Sequence, residues 1–165
     1  MNKFQDKFAN EVQKEIDKYP AGQKRSAVMP LLYMAQQDSG YIDIHAINDI
    51  ADLLDISSTE VASIIGFYTL YHDKPGGKIR IQVCTDLPCA LRGADKFLAE
   101  LCQALNIQPG DTTADGLITV EEVMCLAACD KAPMFQSQSS EGIKYHENMT
   151  VDSTLEMVEK WRKDA

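Results

Sequence analysis

Four cysteines in two close pairs constrain this chain more than any other feature. Cys84 and Cys89 are separated by four residues, Cys125 and Cys129 by three, and thirty-five residues stand between the pairs. Each pair lies within one turn of chain, but the pairs meet only if a folded domain brings them together. Four thiolates at one point usually hold a metal or a cluster. The first pair closes the stretch I-R-I-Q-V-C-T-D-L-P-C and the second opens C-L-A-A-C-D-K-A-P.

Three chemistries compete for such a set. A [2Fe–2S] core has two irons, and each needs two thiolates from the protein, a demand that two local pairs meet directly. Loops of this length can curl around a sulfide-bridged core and offer backbone N–H groups to its sulfurs, which with charge and burial set the potential. The spacing differs from the plant-type C-x4-C-x2-C run. Structural zinc favours C-x2-C knuckles. A dithiol–disulfide site prefers C-x-x-C at a helix start, where the dipole lowers the thiol pKa. Neither pair has an x2 spacing.

The surrounding pattern predicts an α+β chain in two parts. Over residues 1–19, Phe4, Phe8, Val12 and Ile16 recur every four residues, which predicts one amphipathic helix ended by Pro20 and Gly22. A second helix fits 26–39, with Ser26 as cap, Pro30 in its first turn and Gly40 as its stop. A third fits 43–54, with Ile44, Ile47, Ala51 and Leu54 inward. Ser57 and Glu60 have capping-box spacing ahead of a fourth helix running to Tyr71. Residues 73–78 form the candidate linker, so 1–75 read as a helical bundle. From Ile79 the period changes to two: Ile81 and Val83 alternate with Arg80 and Gln82, a strand with one buried face. A helix over 91–105, a strand over 117–124, a short strand from Pro133, a polar turn over 136–142, a return strand and a helix over 151–162 complete 76–165. That order, βαβ then ββα, is thioredoxin-like.

Composition closes off some functions. The chain has 165 residues and a net charge of −9, against a nucleic-acid binder, which needs a basic face. No apolar run spans a bilayer. The N-terminus M-N-K-F-Q-D-K-F has no signal core, so the expectation is a cytosolic protein starting at Met1. Five cysteines, an odd count, suit a reducing compartment. Ile50 to Ile65 also scans as a helix-turn-helix, which with a cysteine cluster would make a redox-sensing regulator. Its would-be recognition helix, 58–71, has no Lys, Arg, Asn or Gln and carries Glu60, which disfavours that reading.

The motifs resemble a known family. V-C-T-D-L-P-C-A-L-R-G-A (83–94) and D-G-L-I-T-V-E-E-V-M-C-L-A-A-C-D-K-A-P (115–133) resemble the two ligand loops of the thioredoxin-like [2Fe–2S] subunit of NADH:quinone oxidoreductase, respiratory complex I, in its bacterial form. R-S-A-V-M-P-L-L-Y-M-A-Q (25–36), G-F-Y-T-L-Y (66–71) and 145–150 resemble its other parts. The resemblance implies an N-terminal helical bundle and a thioredoxin-like ferredoxin domain. It implies one [2Fe–2S] cluster on Cys84, Cys89, Cys125 and Cys129, exchanging single electrons with the FMN of an adjacent NADH-binding, [4Fe–4S]-carrying subunit. It also implies a further iron-sulfur subunit as neighbour and a place on the inner face of the bacterial cytoplasmic membrane, without insertion. Equivalent subunits serve NAD-linked formate dehydrogenases and hydrogenases. The chain has no G-x-G-x-x-G fingerprint, so NADH and FMN belong to the partner. Ala127 stands where the family's second loop carries glycine; at positive φ it would cost about 1 kcal/mol. The polar insert at 137–140 is also less typical of the family.

Outside the pairs, Cys102 reads as a small buried residue. Arg92 and Lys96 either offset cluster charge or form a solvated face. Asp86 and Asp130 would lower the potential. His45, His72 and His146 share no ligand spacing.

Overall fold

A computed structural model describes residues 2–164 and divides the chain into two compact units, residues 1–75 and 76–165. The first is helical throughout. The amphipathic stretch at its start forms two helices, α1 (Lys3–Lys7) and α2 (Ala9–Ile16), because the backbone breaks at Phe8 (φ −122°, ψ 34°). The predicted single helix is corrected here to two. Asp49 accepts the N–H of Phe4 at 2.9 Å, taking one of the orphan donors of a helix start. That anchor buries Phe4, and the break brings the Phe8 ring to 5.2 Å from it.

A 3₁₀ turn (Lys24–Ala27) precedes α3 (Val28–Ser39), so Ser26 lies inside the turn and does not cap the helix. Pro30 is the third residue of α3, where its missing N–H would be unpaired anyway. Gly40 ends the helix at φ 79°, a left-handed conformation that glycine adopts without strain. The Asp43 carboxylate accepts the Ala46 N–H and starts α4 (Ile44–Leu54). Ile44, expected inward, is 61% exposed in the open first turn, and Ile50 fills the core instead. Ser57 and Glu60 form the expected capping box for α5 (Ser58–Phe67).

That last helix stops four residues earlier than the sequence predicts. Gln36, buried on α3, donates to the Leu70 carbonyl at 2.8 Å and accepts the His72 N–H at 2.7 Å. Tyr71 donates its hydroxyl to the Met29 carbonyl. These bonds hold residues 68–72 outside the helix, in a bend and turn closed by the Tyr71 N–H on the Tyr68 carbonyl, and Phe67 is left 76% exposed.

The second unit is a four-stranded sheet ordered β2-β1-β3-β4. Its strands are β1 (Ile79–Cys84), β2 (Ile118–Val123), β3 (Phe135–Ser139) and β4 (Gly142–His146). β1 and β2 are parallel; β3 and β4 form an antiparallel hairpin beside β1. Between β1 and β2 run α6 (Leu87–Ala90) and α7 (Ala94–Leu105), and α8 (Val151–Asp164) closes the chain. The predicted helix over 91–105 therefore begins later, after Gly93 at φ 91°, and Leu91 is exposed. The polar turn expected over 136–142 shrinks to Ser140-Glu141, since Gln136 to Ser139 pair with β1 and β4.

Ile81, Val83, Ile118, Val120 and Phe135 face one core with Phe97, Leu98, Leu101 and Val158 of α7 and α8. The period-two pattern predicts that the other face of β1 is open to water. Arg80 and Gln82 are buried there, because β1 is central and its polar side chains find partners on both sides. Glu121 takes both Arg80 and Gln82, and Gln82 accepts from Gln136 at 2.6 Å. A buried polar ladder of this kind is tolerated only when its members are paired. Gly77 lies against β2, where an added Cβ would stand 2.6 Å from the Leu117 carbonyl oxygen. Its N–H donates to Thr119 Oγ1.

Candidate metal centre

The parallel pair β1–β2 ends with Cys84 opposite Val123, so both cysteine loops leave the sheet at the same edge. The first loop folds at once into α6, started by Pro88 in its first turn and by Asp86, whose carboxylate accepts the Leu87 N–H. Cys89 lies in this turn with 1% exposure. The amides from Cys89 to Gly93 donate to the carbonyls of this same turn.

The second loop leaves β2 and returns through a 3₁₀ turn, Cys129–Lys131, into β3. The N–H of Cys84 reaches the Met134 carbonyl at 3.4 Å, joining the start of this return to the first loop. Cys84, Cys89, Ala94, Ala132 and Met134 form a small buried cluster, with Leu126, Ala128 and Cys129 against it. Burial first, then the adjacent Cys84 and Cys129 sulfurs, push the Cys89 thiol up to about 12. The convergence itself is one of packing: Cys129 lies against the same buried cluster that holds Cys84 and Cys89. A metal taken up here must displace protons from such thiols.

The structure thus brings Cys84, Cys89 and Cys129 together, while Cys125 is exposed on the second loop. Among the described residues, no group of three or more His, Cys, Asp or Glu forms a ready-made site for a metal ion. The donor set is nonetheless suited to an iron-sulfur core: soft sulfur ligands in two pairs above an apolar floor. All five cysteines are free thiols, and Cys102 is buried on α7 in the sheet core, apart from this cluster.

The charged neighbours sort themselves by contact. Arg92 Nε donates to the Ala132 carbonyl at 3.2 Å, so it is not a mere solvated face. Lys96 pairs with Glu100 on the exposed side of α7, which fits the solvated face. Asp130 is exposed and 3.7 Å from Lys131. His146 is a packing residue: its ring stacks on Phe135 at 4.7 Å, and Ser137 Oγ is 2.8 Å from Nε2. Burial, and after it Lys144, hold its pKa below the ordinary value. Sequence reasoning missed Ala132 and Met134 as the floor of the site. Their only signal was position, three and five residues beyond Cys129.

Ala127 has φ 57°. A Cβ in the left-handed region crowds the following carbonyl at a cost of about 1–2 kcal/mol, and glycine escapes it. Ala127→Gly is expected to stabilise the unit by about 1 kcal/mol, less what glycine's freedom gains the unfolded chain. Urea unfolding of the two proteins checks this; a destabilised glycine variant would show that the methyl has a packing role.

Comparison with known proteins agrees with this geometry. The profile of the thioredoxin-like [2Fe–2S] ferredoxin family matches residues 12–162. The chain is 37% identical over 150 residues to the E subunit of the NADH-quinone oxidoreductase of Rickettsia bellii, covering 90% of this chain and 87% of that protein. It is 36% identical over 162 residues to the corresponding protein of Rickettsia conorii, covering 98% and 95%. With NADH-quinone oxidoreductase subunit 2 of Thermus thermophilus it shares 43% over 119 residues, 72% of this chain and 66% of that one. In fold it is similar to a chain of an air-oxidised NAD+-reducing [NiFe]-hydrogenase, with a TM-score of 0.64 at 22% identity. That match covers 81% of this chain and 23% of the hydrogenase chain. Two cysteine loops meeting at one sheet edge, on this fold and with these relatives, lead to one conclusion: the chain belongs to the thioredoxin-like [2Fe–2S] ferredoxin family, with one [2Fe–2S] cluster as its cofactor.

Proposed function

We propose that Cys84, Cys89, Cys125 and Cys129 ligate the cluster, and that the chain is the small electron-transfer subunit of an NADH:quinone oxidoreductase. The observation that carries this is the packing of Cys84, Cys89 and Cys129, from two loops far apart in sequence, into one buried cluster. The names of the relatives add the parent complex. When bound, the cluster supplies reversible one-electron chemistry. The protein's part is to hold the sulfurs, keep water from the floor made by Ala132 and Met134, and set the local charge. Cys125 closes the set from the exposed loop.

On this reading FMN and NADH belong to the adjacent subunit, and a further iron-sulfur subunit of the peripheral arm is a neighbour. Among the described residues, no helix is long and apolar enough to cross a membrane. The location proposed is peripheral, on the inner face of the bacterial cytoplasmic membrane, through the complex. An equivalent role in an NAD-linked hydrogenase rests on the fold likeness alone, and one in a formate dehydrogenase on the motif resemblance alone. The deciding experiment is isolation of the native complex. NADH-driven quinone reduction, with flavin present and a one-electron [2Fe–2S] EPR signal, is expected. Hydrogen- or formate-linked NAD+ reduction would assign the other parent. The isolated chain is expected to leave NADH unoxidised.

The two units divide the work under this proposal. Residues 76–165 contain all four paired cysteines and their own core. Residues 1–75 expose Phe67, Tyr68 and Leu70 within four residues of one another. Aromatic side chains are common anchors of protein interfaces. A fragment of residues 76–165 is expected to hold the cluster but to bind the flavin subunit at least tenfold more weakly than the full chain. Equal affinity in a pull-down titration would remove the docking role from the helical unit.

A further inference from the structure

Arg92 is three residues beyond Cys89, and its own N–H donates to the Cys89 carbonyl at 3.0 Å. Its side chain turns the other way along the site. Nε donates to the carbonyl of Ala132, forty residues on in sequence. Ala132 is 4% exposed and packs in the buried cluster with Cys84 and Cys89. It is also three residues beyond Cys129, and its N–H reaches the Cys129 carbonyl at 3.5 Å. A single side chain therefore ties the segment behind the first cysteine pair to the segment behind the second.

The bond has an electrostatic consequence. A guanidinium held against Ala132 places a fixed positive charge beside the pocket that receives the cysteines. Lys96 lies 3.6 Å from Glu100 and Lys131 3.7 Å from Asp130, each beside a carboxylate that offsets its charge. Counting four thiolates, two sulfides and two irons, the centre carries −2 when oxidised and −3 when reduced. A neighbouring cation favours the more negative state and so raises the potential. Arg92 is itself solvent-exposed, so screening limits the effect to a moderate one.

We propose that Arg92 is a positioning residue that bridges the two ligand-bearing segments and, by its charge, raises the reduction potential of the centre. The proposal rests on the four-cysteine ligand reading. The test is dye-mediated redox titration of the full-length holoprotein, followed by EPR, for wild type, Arg92→Gln and Arg92→Lys. In Arg92→Gln the reduced-to-oxidised ratio at a fixed applied potential is expected to fall about threefold, near 28 mV at 59 mV per tenfold for one electron. Arg92→Lys keeps the charge and is expected to stay close to wild type. Arg92→Gln is also expected to lose iron to a chelator several-fold faster, because the bridge is gone.

Unchanged potential in Arg92→Gln overturns the electrostatic role. An equal drop in Arg92→Lys overturns it too, since charge would then not be the cause. Should Arg92→Gln fail to hold a centre, acetyl-lysine installed at position 92 is compared with Arg92→Lys, and equal potentials overturn the proposal. The ligand reading fails by a separate observation, a full EPR signal in Cys89→Ala, which leaves the Arg92 comparison readable.

Discussion

Cys89→Ala is expected to lose the visible absorption and the spin-half EPR signal of the reduced centre, and to retain less than half of the wild-type iron. Cys89 is, like Cys84, 1% exposed, and it shares one buried cluster with Cys84 and Cys129. Alanine offers no ligand, and the apolar floor of Ala94, Ala132 and Met134 has few polar groups to steady a replacement water. The iron it served is left under-coordinated. Cys102→Ser is the matched control. Cys102 is 3% exposed among Phe97, Leu98 and Leu101, and burial raises its thiol pKa. Its hydroxyl replacement costs stability, on the order of 1–3 kcal/mol for a poorly paired buried polar group, and leaves the spectrum intact. Iron analysis and EPR on both proteins check the pair of outcomes. Full iron and full signal in Cys89→Ala would overturn the ligand assignment.

How far each feature could be read from the sequence follows from its range. Local signals held: the capping box at Ser57 and Glu60, the Gly40 stop and the existence of strand β1 all depend on neighbours within four residues. Features set by distant partners did not. The start of α1 is held by Asp49, and the chain beyond the early end of α5 is held by Gln36. The buried second face of β1 depends on Glu121 and Gln136, which the fold delivers from the two flanking strands. The candidate site shows the same split. Pair spacing alone drew attention to the four cysteines, because two loops of two thiols are a local pattern. The floor beneath them, and the reach of Arg92 to Ala132, are products of the parallel crossover and the return into β3. No local spacing encodes them. The positive φ at Ala127 was anticipated only through the glycine that the resembled loops carry at that position.

Phe135→Ala is expected to destabilise the sheet unit by about 3–5 kcal/mol, the range for removing a buried aromatic ring. Phe135 has no exposed surface and lies on β3, paired with Val83 of β1 and His146 of β4. Its ring is stacked 6.4 Å from Phe97 on one side and 4.7 Å from His146 on the other. His146 in turn meets Trp161 edge-on at 6.1 Å. Deleting the ring opens a cavity at the junction of α7, the hairpin and α8, and none of these can close on it without losing its own partners. The loss is large against the roughly 5–15 kcal/mol typical of a folded domain. It also falls one residue from Met134, whose carbonyl meets the Cys84 N–H. The variant is therefore expected to unfold at much lower urea and to release iron to a chelator faster at concentrations where it is still folded. Tyr145→Ala is the comparison. Tyr145 is 51% exposed on the neighbouring strand, and its loss is expected to cost less than about 1 kcal/mol. Urea midpoints followed by circular dichroism and by the visible band separate the two. A cost below about 1 kcal/mol for Phe135→Ala would mean that the stack of Phe97, Phe135 and His146 is not what holds the hairpin to the helices.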